Sequence, residues 1–211
     1  MVINYIGQSC FRIRGKETTI LFDPFNSSIG KNFPKQSDIS LLLVTHAHPD
    51  HNFLDGVEKG YFLIDTPGEY DIRNVSINGI FSFHDKVKGA ERGTNTIYKV
   101  DFEDIAICHL GDLGTILTEE QIQKIGNVNI LFIPVGGKYT IDSHDAAEVI
   151  SQIAPNIVIP MHYGNENLGL APVEDFLKEM GVEKEINKTL KFTKDDFTDS
   201  QDGTKILVME N

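Results

Sequence analysis

Short apolar runs separated by polar turns fill the first part of the chain. Val2–Ile6, Cys10–Arg14 and Thr18–Phe22 are divided by glycine-containing turns, which predicts a small antiparallel meander. After a loop-like stretch, Leu41–Val44 is a continuous apolar run, typical of a strand buried on both faces. Further predicted strands lie at Tyr61–Asp65, Val75–Phe83, Thr96–Phe102, Asp104–His109, Asn129–Val135, Ile157–Pro160 and Lys205–Met209.

Three segments in the second half of the chain show helix signals. Thr118–Gln121 forms a capping box, and an apolar stripe spaced i, i+3, i+4, i+7 follows Ser143. Pro172 and Gly181 mark the start and the end of a third helix. Because strands come first and then alternate with helices, we expect an α+β fold of two sheets with helices outside them. The sequence shows no repeat or linker, which predicts a single domain over residues 1–211.

Composition narrows the class of protein. A chain of 211 residues with 40% hydrophobic residues can bury a sizeable core. Its longest apolar runs have strand length, whereas a membrane-spanning helix needs about 20 apolar residues, so we expect no membrane segment. The N-terminus lacks a basic region followed by an apolar stretch, which predicts a cytoplasmic protein.

The charge balance favours a small-molecule substrate. The chain has 19 basic and 31 acidic residues, a formal net charge of −12, whereas nucleic-acid binders usually show a basic surface. The two cysteines, Cys10 and Cys108, form no disulfide framework and lie in apolar runs, which predicts that both are buried. The oligomeric state stays open, and a homo-oligomer is compatible with the sequence.

Three of the seven histidines fall within six positions that follow the buried strand Leu41–Val44. Imidazole nitrogen and carboxylate oxygen both bind zinc and other first-row metals. Alternate residues of an extended segment point the same way, so His46 and His48 can hold one ion. Asp50 and His51 follow the bend at Pro49 and can reach a second ion.

These four residues cannot complete two coordination shells, so further ligands are expected after other strands. Three candidates follow apolar runs: His84 after Val75–Phe83, Asp112 after the run that ends at His109, and His162 after Ile157–Pro160. Strand ends at one sheet edge are common positions for binding sites. Ligating imidazoles usually donate their second N–H to a carboxylate or carbonyl group, and Asp142 and Asp145 are candidates for that role.

At this point the sequence resembles the metallo-β-lactamase superfamily, most of all its lactonase-like branch. That resemblance implies a four-layer αββα sandwich with two metals at one edge of the sheets. It is carried by the stretches Tyr5–Phe11, Leu21–Phe25, His46–His51, His109–Asp112, Ile133–Thr140 and Ile159–Tyr163.

The resemblance also implies how the ligands divide. His46, His48 and His84 would hold the first metal, Asp50, His51 and His162 the second, and Asp112 would bridge them. His109 is an alternative third ligand of the first metal; the preferred interpretation places it behind the ligands or facing substrate. Two departures from the family pattern are Gln8, where many relatives have histidine, and a compact segment around Thr66–Tyr70 before His84.

The predicted enzyme is a binuclear hydrolase that cleaves an ester-like bond, a lactone or phosphate ester, through a metal-bound hydroxide. Two divalent ions are expected, zinc by default, with manganese and iron as alternatives. Asp50, Asp112 and His109 are the predicted catalytic residues, and Arg92, Tyr139 and Thr140 the predicted substrate-binding residues. A metal-dependent phosphodiesterase or nuclease and a non-catalytic metal-binding module are the alternative functions.

Overall fold

The computed structural model describes residues 1–198 and 203–210. Within these residues, two mixed sheets and one short strand pair form. The first sheet has the order β13-β1-β2-β3-β4-β5, the second β14-β11-β10-β9-β8-β7-β6, and β12 pairs with β15. The strands are β1 Val2–Gly7, β2 Cys10–Arg14, β3 Thr19–Phe22, β4 Leu41–Leu43, β5 Phe62–Ile64, β6 Gly68–Ile72, β7 Val75–Phe83, β8 Thr94–Phe102, β9 Ile105–His109, β10 Ile130–Pro134, β11 Ile157–Met161, β12 Ile186–Asn187, β13 Leu190–Lys191, β14 Lys205–Ile206 and β15 Val208–Met209.

Strand direction brings several strand ends to the same side. In the first sheet, β3, β4 and β5 are parallel. In the second sheet, β9, β10 and β11 are parallel, and β7 runs in their direction because both β7 and β9 pair antiparallel with β8. The carboxyl ends of β7, β9, β10 and β11 therefore lie at one edge of the second sheet.

The main core lies between the two sheets. Phe11 and Phe22 of the first sheet and Phe132 of the second are fully buried there, with the rings of Phe11 and Phe132 4.1 Å apart. All five residues of β10 are buried, as expected for a parallel strand covered on both faces. Phe132 faces the other sheet, whereas Leu131 and Ile133 face the helices.

Helices cover the outer face of the second sheet. The described residues form α1 Glu119–Ile125, α2 Ser143–Ile153 and α3 Val173–Met180. The predicted capping box at Thr118 and Gln121 is present at the start of α1. The stripe predicted after Ser143 is buried against the sheet as Ala146, Val149, Ile150 and Ile153.

The outer face of the first sheet has a different cover. Phe25, Ile29 and Val57 pack there with residues of β2, β3 and β4. In the described part of the chain this layer consists of loop and the short 3₁₀ helices Ser27–Ile29 and Leu54–Gly56. The predicted α+β sandwich is confirmed, with an outer layer on this side that is thinner than the helical one.

The described residues contain strands that the sequence did not predict, among them the two-residue strands β12 and β13, and one predicted strand is divided in two. The compact segment before His84 contains β6, an edge strand paired with β7, which was not predicted because Gly-Glu-Tyr-Asp-Ile is not an apolar run. The prediction of one closing strand at Lys205–Met209 is wrong. Its first two residues pair with β11 and its last two with β12, and Leu207 between them is buried in the main core.

The helices are short. The longest helix among the described residues, α2, has 11 residues. No helix in residues 1–198 or 203–210 is long and apolar enough to cross a bilayer.

Candidate metal centre

The seven predicted ligands come together because each follows the carboxyl end of a strand. His46, His48, Asp50 and His51 follow β4, and His84 follows β7 directly. Asp112 follows β9 and His162 follows β11. Both sheets therefore contribute side chains to one edge of the sandwich, at the position expected from the sequence.

The ligand atoms form two groups. The first consists of His46, His48 and His84. The second consists of Asp50, His51, Asp112 and His162. Within each group the candidate ligand atoms all lie within 4.8 Å of one another. Apart from Asp112, which the resemblance implies as a bridge between the two metals, this division is the one that the resemblance implied, and His84 rather than His109 joins the first group.

Asp112 belongs to the second group but also lies close to the first. Its Oδ2 is 3.2 Å from the Nε2 atoms of His51, His84 and His162 and 3.9 Å from His46 Nε2. One carboxylate oxygen therefore contacts imidazoles of both groups, as a bridging ligand does. The backbone N–H of Asp112 donates to Asn95 Oδ1 at 3.0 Å, which holds the main chain from which the carboxylate extends.

A buried carboxylate outside the ligand set orients two of the imidazoles. Asp23 Oδ2 accepts from His51 Nδ1 at 2.9 Å and from the Thr45 hydroxyl at 2.8 Å, and its Oδ1 accepts from the Thr45 backbone N–H. Since the Thr45 hydroxyl has one proton and gives it to Asp23, it accepts from His46 Nδ1 at 3.0 Å. Asp23 thereby fixes the tautomers of both His51 and His46.

The remaining nitrogens of these imidazoles are suited to metal binding. In the neutral form of His46 and His51, Nδ1 carries the proton, and Nε2 then presents a lone pair. Both Nε2 atoms are buried without a hydrogen-bond partner within residues 1–198 and 203–210, a costly state unless another ligand is present. Imidazole nitrogens and carboxylate oxygens in two adjacent groups fit a pair of divalent first-row ions.

The electrostatics of the metal-free site favour a neutral His46 and an ionised Asp112, but they favour protonated imidazoles at His51 and His162. Burial lowers the pKa of these two imidazoles, but the Asp112 carboxylate outweighs it and raises the pKa of His51 well above its usual value and that of His162 to about 9, so metal binding must displace their protons. Burial, reinforced by the neighbouring His51, holds the pKa of His46 well below its usual value, so this imidazole stays neutral. Burial opposes ionisation of Asp112, but the adjacent imidazoles of His162 and His51 outweigh it and hold the pKa of this carboxyl well below its usual range.

Gln8, a departure from the family pattern in the sequence, lies beside one of the ligand candidates. Its side-chain amide donates to Asp50 Oδ2 at 3.1 Å. Its backbone has φ 55°, and its carbonyl accepts from the Tyr5 hydroxyl and the His162 N–H. Gln8 therefore positions Asp50 through its side chain and the His162 backbone through its carbonyl.

The structure corrects the prediction for His109. This residue is fully buried between the sheets, with its ring stacked on Phe22 at 4.7 Å. Nδ1 accepts from the Gly111 N–H, so Nε2 carries the proton and donates to the Ser9 carbonyl at 2.9 Å. Because both nitrogens are used inside the core, the prediction of a catalytic or substrate-facing role for His109 is wrong.

Of the three predicted substrate-binding residues, two line the metal cavity. Arg92 and Tyr139 border a cavity of about 210 Å³, together with His48, Pro49, Asp50, His84, Asp112, His162 and Leu168. Thr140 instead borders an adjoining depression that also reaches Arg92 and Tyr139. Its buried hydroxyl donates to the Ile141 carbonyl.

Asp142 and Asp145 do not orient ligands. Asp142 caps the N-terminus of α2, and Asp145 pairs with Lys86 at 2.8 Å. The residue that orients His51 is Asp23, which the sequence analysis missed. The pattern that predicted the ligands, a polar residue just after an apolar strand, also applies to Asp23, because Asp23 directly follows β3.

Known proteins with similar sequences identify the family of this chain. A family model described as a β-lactamase superfamily domain matches residues 2–162. A UPF0173 metal-dependent hydrolase of Staphylothermus marinus is 30% identical, over 84% of this chain and 90% of its own length. One from Methanopyrus kandleri is 26% identical, over 88% of this chain and 95% of its own length.

The fold comparison agrees. A metallo-β-lactamase superfamily protein from Thermotoga maritima superposes with a TM-score of 0.80, at 32% identity, covering 99% of this chain and 98% of its own. The metallo hydrolase Igni18 of Ignicoccus hospitalis has the same fold, with a TM-score of 0.65 at 21% identity over 91% and 99% of the two chains. The chain therefore belongs to the metallo-β-lactamase superfamily of metal-dependent hydrolases.

Proposed function

We propose that the protein is a binuclear hydrolase that cleaves an ester-like bond, a lactone or a phosphate ester, in a small molecule. The observation that supports this most is the position of Asp112, whose Oδ2 lies 3.2 Å from imidazoles of both ligand groups. A carboxylate in this position would bind both ions if two were present. Zinc is the proposed metal, because imidazole-rich sites of this composition suit it.

The bound ions and the Asp50 carboxylate have different roles in the proposed reaction. Divalent ions, when bound, supply Lewis acidity and lower the pKa of a coordinated water towards about 7. Asp50 is the more accessible carboxylate, with its side chain 20% exposed, whereas Asp112 is buried. Gln8 binds Asp50 Oδ2, which leaves the other Asp50 oxygen to accept a proton from an attacking water.

The size of the cavity supports a small substrate. The cavity that borders the ligand groups has a volume of about 210 Å³. Two larger depressions adjoin it, one of about 460 Å³ reached through His48 and Arg92 and the other of about 360 Å³ reached through His84, Arg92 and Tyr139. The reacting group fits in the cavity itself, and the rest of a small molecule extends into either depression.

Hydrolysis of chromogenic esters by zinc-loaded protein tests the proposal. The panel contains bis(4-nitrophenyl) phosphate, a 4-nitrophenyl carboxylic ester and a chromogenic lactone. We expect turnover of at least one substrate and its loss in Asp112→Ala. The matched control is Asp145→Ala, which removes a carboxylate that contacts Lys86 and no ligand. Protein that binds two zinc ions but hydrolyses none of the panel would contradict the proposal and favour a non-catalytic metal-binding module.

A further inference from the structure

Two cationic side chains share one aromatic ring at the mouth of the metal cavity. The Arg92 guanidinium carbon lies 3.8 Å from the centroid of the Tyr139 ring. Lys138 Nζ lies 4.9 Å from the same centroid. Tyr139 and Arg92 both line the cavity that contains His48, His84, Asp112 and His162. Positive charge is therefore concentrated beside the candidate reaction site.

The loop that presents Arg92 is built around one carboxylate. Asp85 accepts four backbone N–H groups, from Val87 and Gly89 at Oδ1 and from Glu91 and Arg92 at Oδ2, at 2.7 to 3.0 Å. Asp85 is only 8% exposed. The Arg92 backbone is therefore held by a side chain that directly follows the metal-ligand candidate His84.

The same loop is closed by further contacts. The His84 N–H donates to the Gly93 carbonyl, and the Gly93 N–H donates to the Gly89 carbonyl. Gly114 packs beneath the loop so closely that a Cβ there would lie 2.3 Å from the Asp85 nitrogen. These constraints leave the backbone at Arg92 little freedom, so a ligand that binds its guanidinium loses little entropy in ordering the loop.

Neither cation is neutralised by the protein. Lys86 on the same loop pairs with Asp145 at 2.8 Å, but in the part of the chain that the structure describes Arg92 and Lys138 have no carboxylate within ion-pair distance. Lys138 Nζ donates to the Leu168 carbonyl at 2.9 Å, which is a neutral acceptor. The pKa of Tyr139 is lowered by its hydrogen bond with Lys138 and by the charges of Lys138 and Arg92, so negative charge is favoured here.

We propose that Arg92 and Lys138 form an oxyanion subsite, and that the substrate has a carboxylate or phosphate group separate from the bond that is cleaved. This inference rests on the proposed hydrolase and narrows its substrate class. A guanidinium presents paired donors that match a carboxylate or phosphate. In a chain with a net charge of −12, a local cationic pair beside the cavity guides an anionic group to that position.

Two esters that differ in one carboxylate test the subsite. The probes are 4-nitrophenyl acetate and mono-4-nitrophenyl succinate, with zinc-loaded wild type, Arg92→Ala and Lys86→Ala. We expect Arg92→Ala to lower the ratio of kcat/KM for the anionic ester to that for the neutral ester by about 10- to 100-fold, the loss typical of a charge-assisted hydrogen bond. Lys86→Ala should leave the ratio unchanged. An unchanged ratio in Arg92→Ala would overturn the proposal.

A binding measurement separates the subsite from the hydrolase activity. Calorimetry with glutarate and with methylphosphonate, at equal zinc loading, compares wild type and Arg92→Ala. Arg92-dependent binding of either probe without ester turnover would support the subsite and contradict the hydrolase. Ester turnover with binding of both probes independent of Arg92 would contradict the subsite and leave the hydrolase standing. The probe with the larger Arg92 dependence distinguishes carboxylate from phosphate.

Asp85 is a positioning residue in this proposal. We expect Asp85→Asn to lower the same ester ratio mainly through KM, because an amide cannot accept all four N–H groups. In the Arg92→Ala background, Asp85→Asn should have no further effect on the ratio. An equal effect with and without Arg92 would show that Asp85 acts on stability alone and would remove it from the proposal.

Discussion

The strongest test of how the site is held together is Asp23→Asn. Asp23 is fully buried and accepts three hydrogen bonds, two from Thr45 and one from His51. Asparagine has nearly the same shape but offers one oxygen acceptor. With that oxygen facing the Thr45 N–H, the amide NH₂ faces the Thr45 hydroxyl and the His51 Nδ1 proton, so donors meet donors.

We expect the variant to avoid this contact between two donors by a change of the His51 tautomer. If Nδ1 accepts from the amide, the proton shifts to Nε2, the nitrogen that faces the second ligand group. Loss of such a supporting carboxylate typically lowers metal affinity about 10- to 100-fold, which corresponds to about 1.4 to 2.7 kcal/mol. A hydrogen bond to a charged group contributes about 1.5 to 3 kcal/mol, so the two estimates agree.

Competition with a chromophoric zinc chelator measures this effect. We expect the second zinc to bind about 10- to 100-fold more weakly to Asp23→Asn, with Asp145→Asn as a matched control of wild-type affinity. Thermal unfolding without metal identifies any variant that fails to fold. Thr45→Val provides a second test, because it removes the hydroxyl that accepts from His46 and should weaken the first site. Wild-type affinity for both ions in Asp23→Asn would refute the role assigned to Asp23.

Four further predictions follow from the same geometry. Asp112→Ala should bind fewer than two zinc ions per chain by elemental analysis, since its Oδ2 contacts both groups. His109→Ala should lose about 3 kcal/mol of stability in urea unfolding yet still bind two zinc ions, because His109 packs on Phe22 and binds no ligand. Gly114→Ala should weaken the first zinc site in chelator competition, since its Cβ would lie 2.4 Å from the His84 carbonyl carbon. Zinc removal by EDTA should lower Tm but leave the circular dichroism spectrum of a folded protein, because the sheets have their own core.

The structure brings the predicted ligand residues together, and the sequence signal that pointed to them is local. Each ligand stands just past an apolar strand, and strand direction then decides that these ends meet. Leu41–Leu43 before His46 and Val75–Phe83 before His84 are examples. The division of the seven residues into two groups came from the family resemblance, not from spacing, and the structure agrees with it.

The residues around the ligands were harder to predict. Asp23, Thr45 and His51 lie within hydrogen-bond distance only after β3 and β4 pair, and an aspartate in a loop otherwise indicates a turn. Asp142 and Asp145 were chosen because they lie in a polar loop, but helix capping and an ion pair with Lys86 account for them.

His109 shows the limit of motif-based reasoning. It stands three residues before Asp112, so its position in the sequence does not distinguish it from a metal ligand. The side chains of neighbouring strand residues point to opposite faces, and that of His109 points into the core beside Phe22 and Phe132. The contact between Arg92 and Tyr139 is likewise invisible in the sequence, because 47 positions separate residues whose loops meet only in the fold.

Anomalous diffraction from crystals of the zinc-loaded protein tests the central claim most directly. We predict two zinc peaks per chain, one among His46, His48 and His84 and the other among Asp50, His51 and His162, with the Asp112 carboxylate within ligand distance of both. A single peak, or a second peak that Asp112 does not contact, would contradict the binuclear centre.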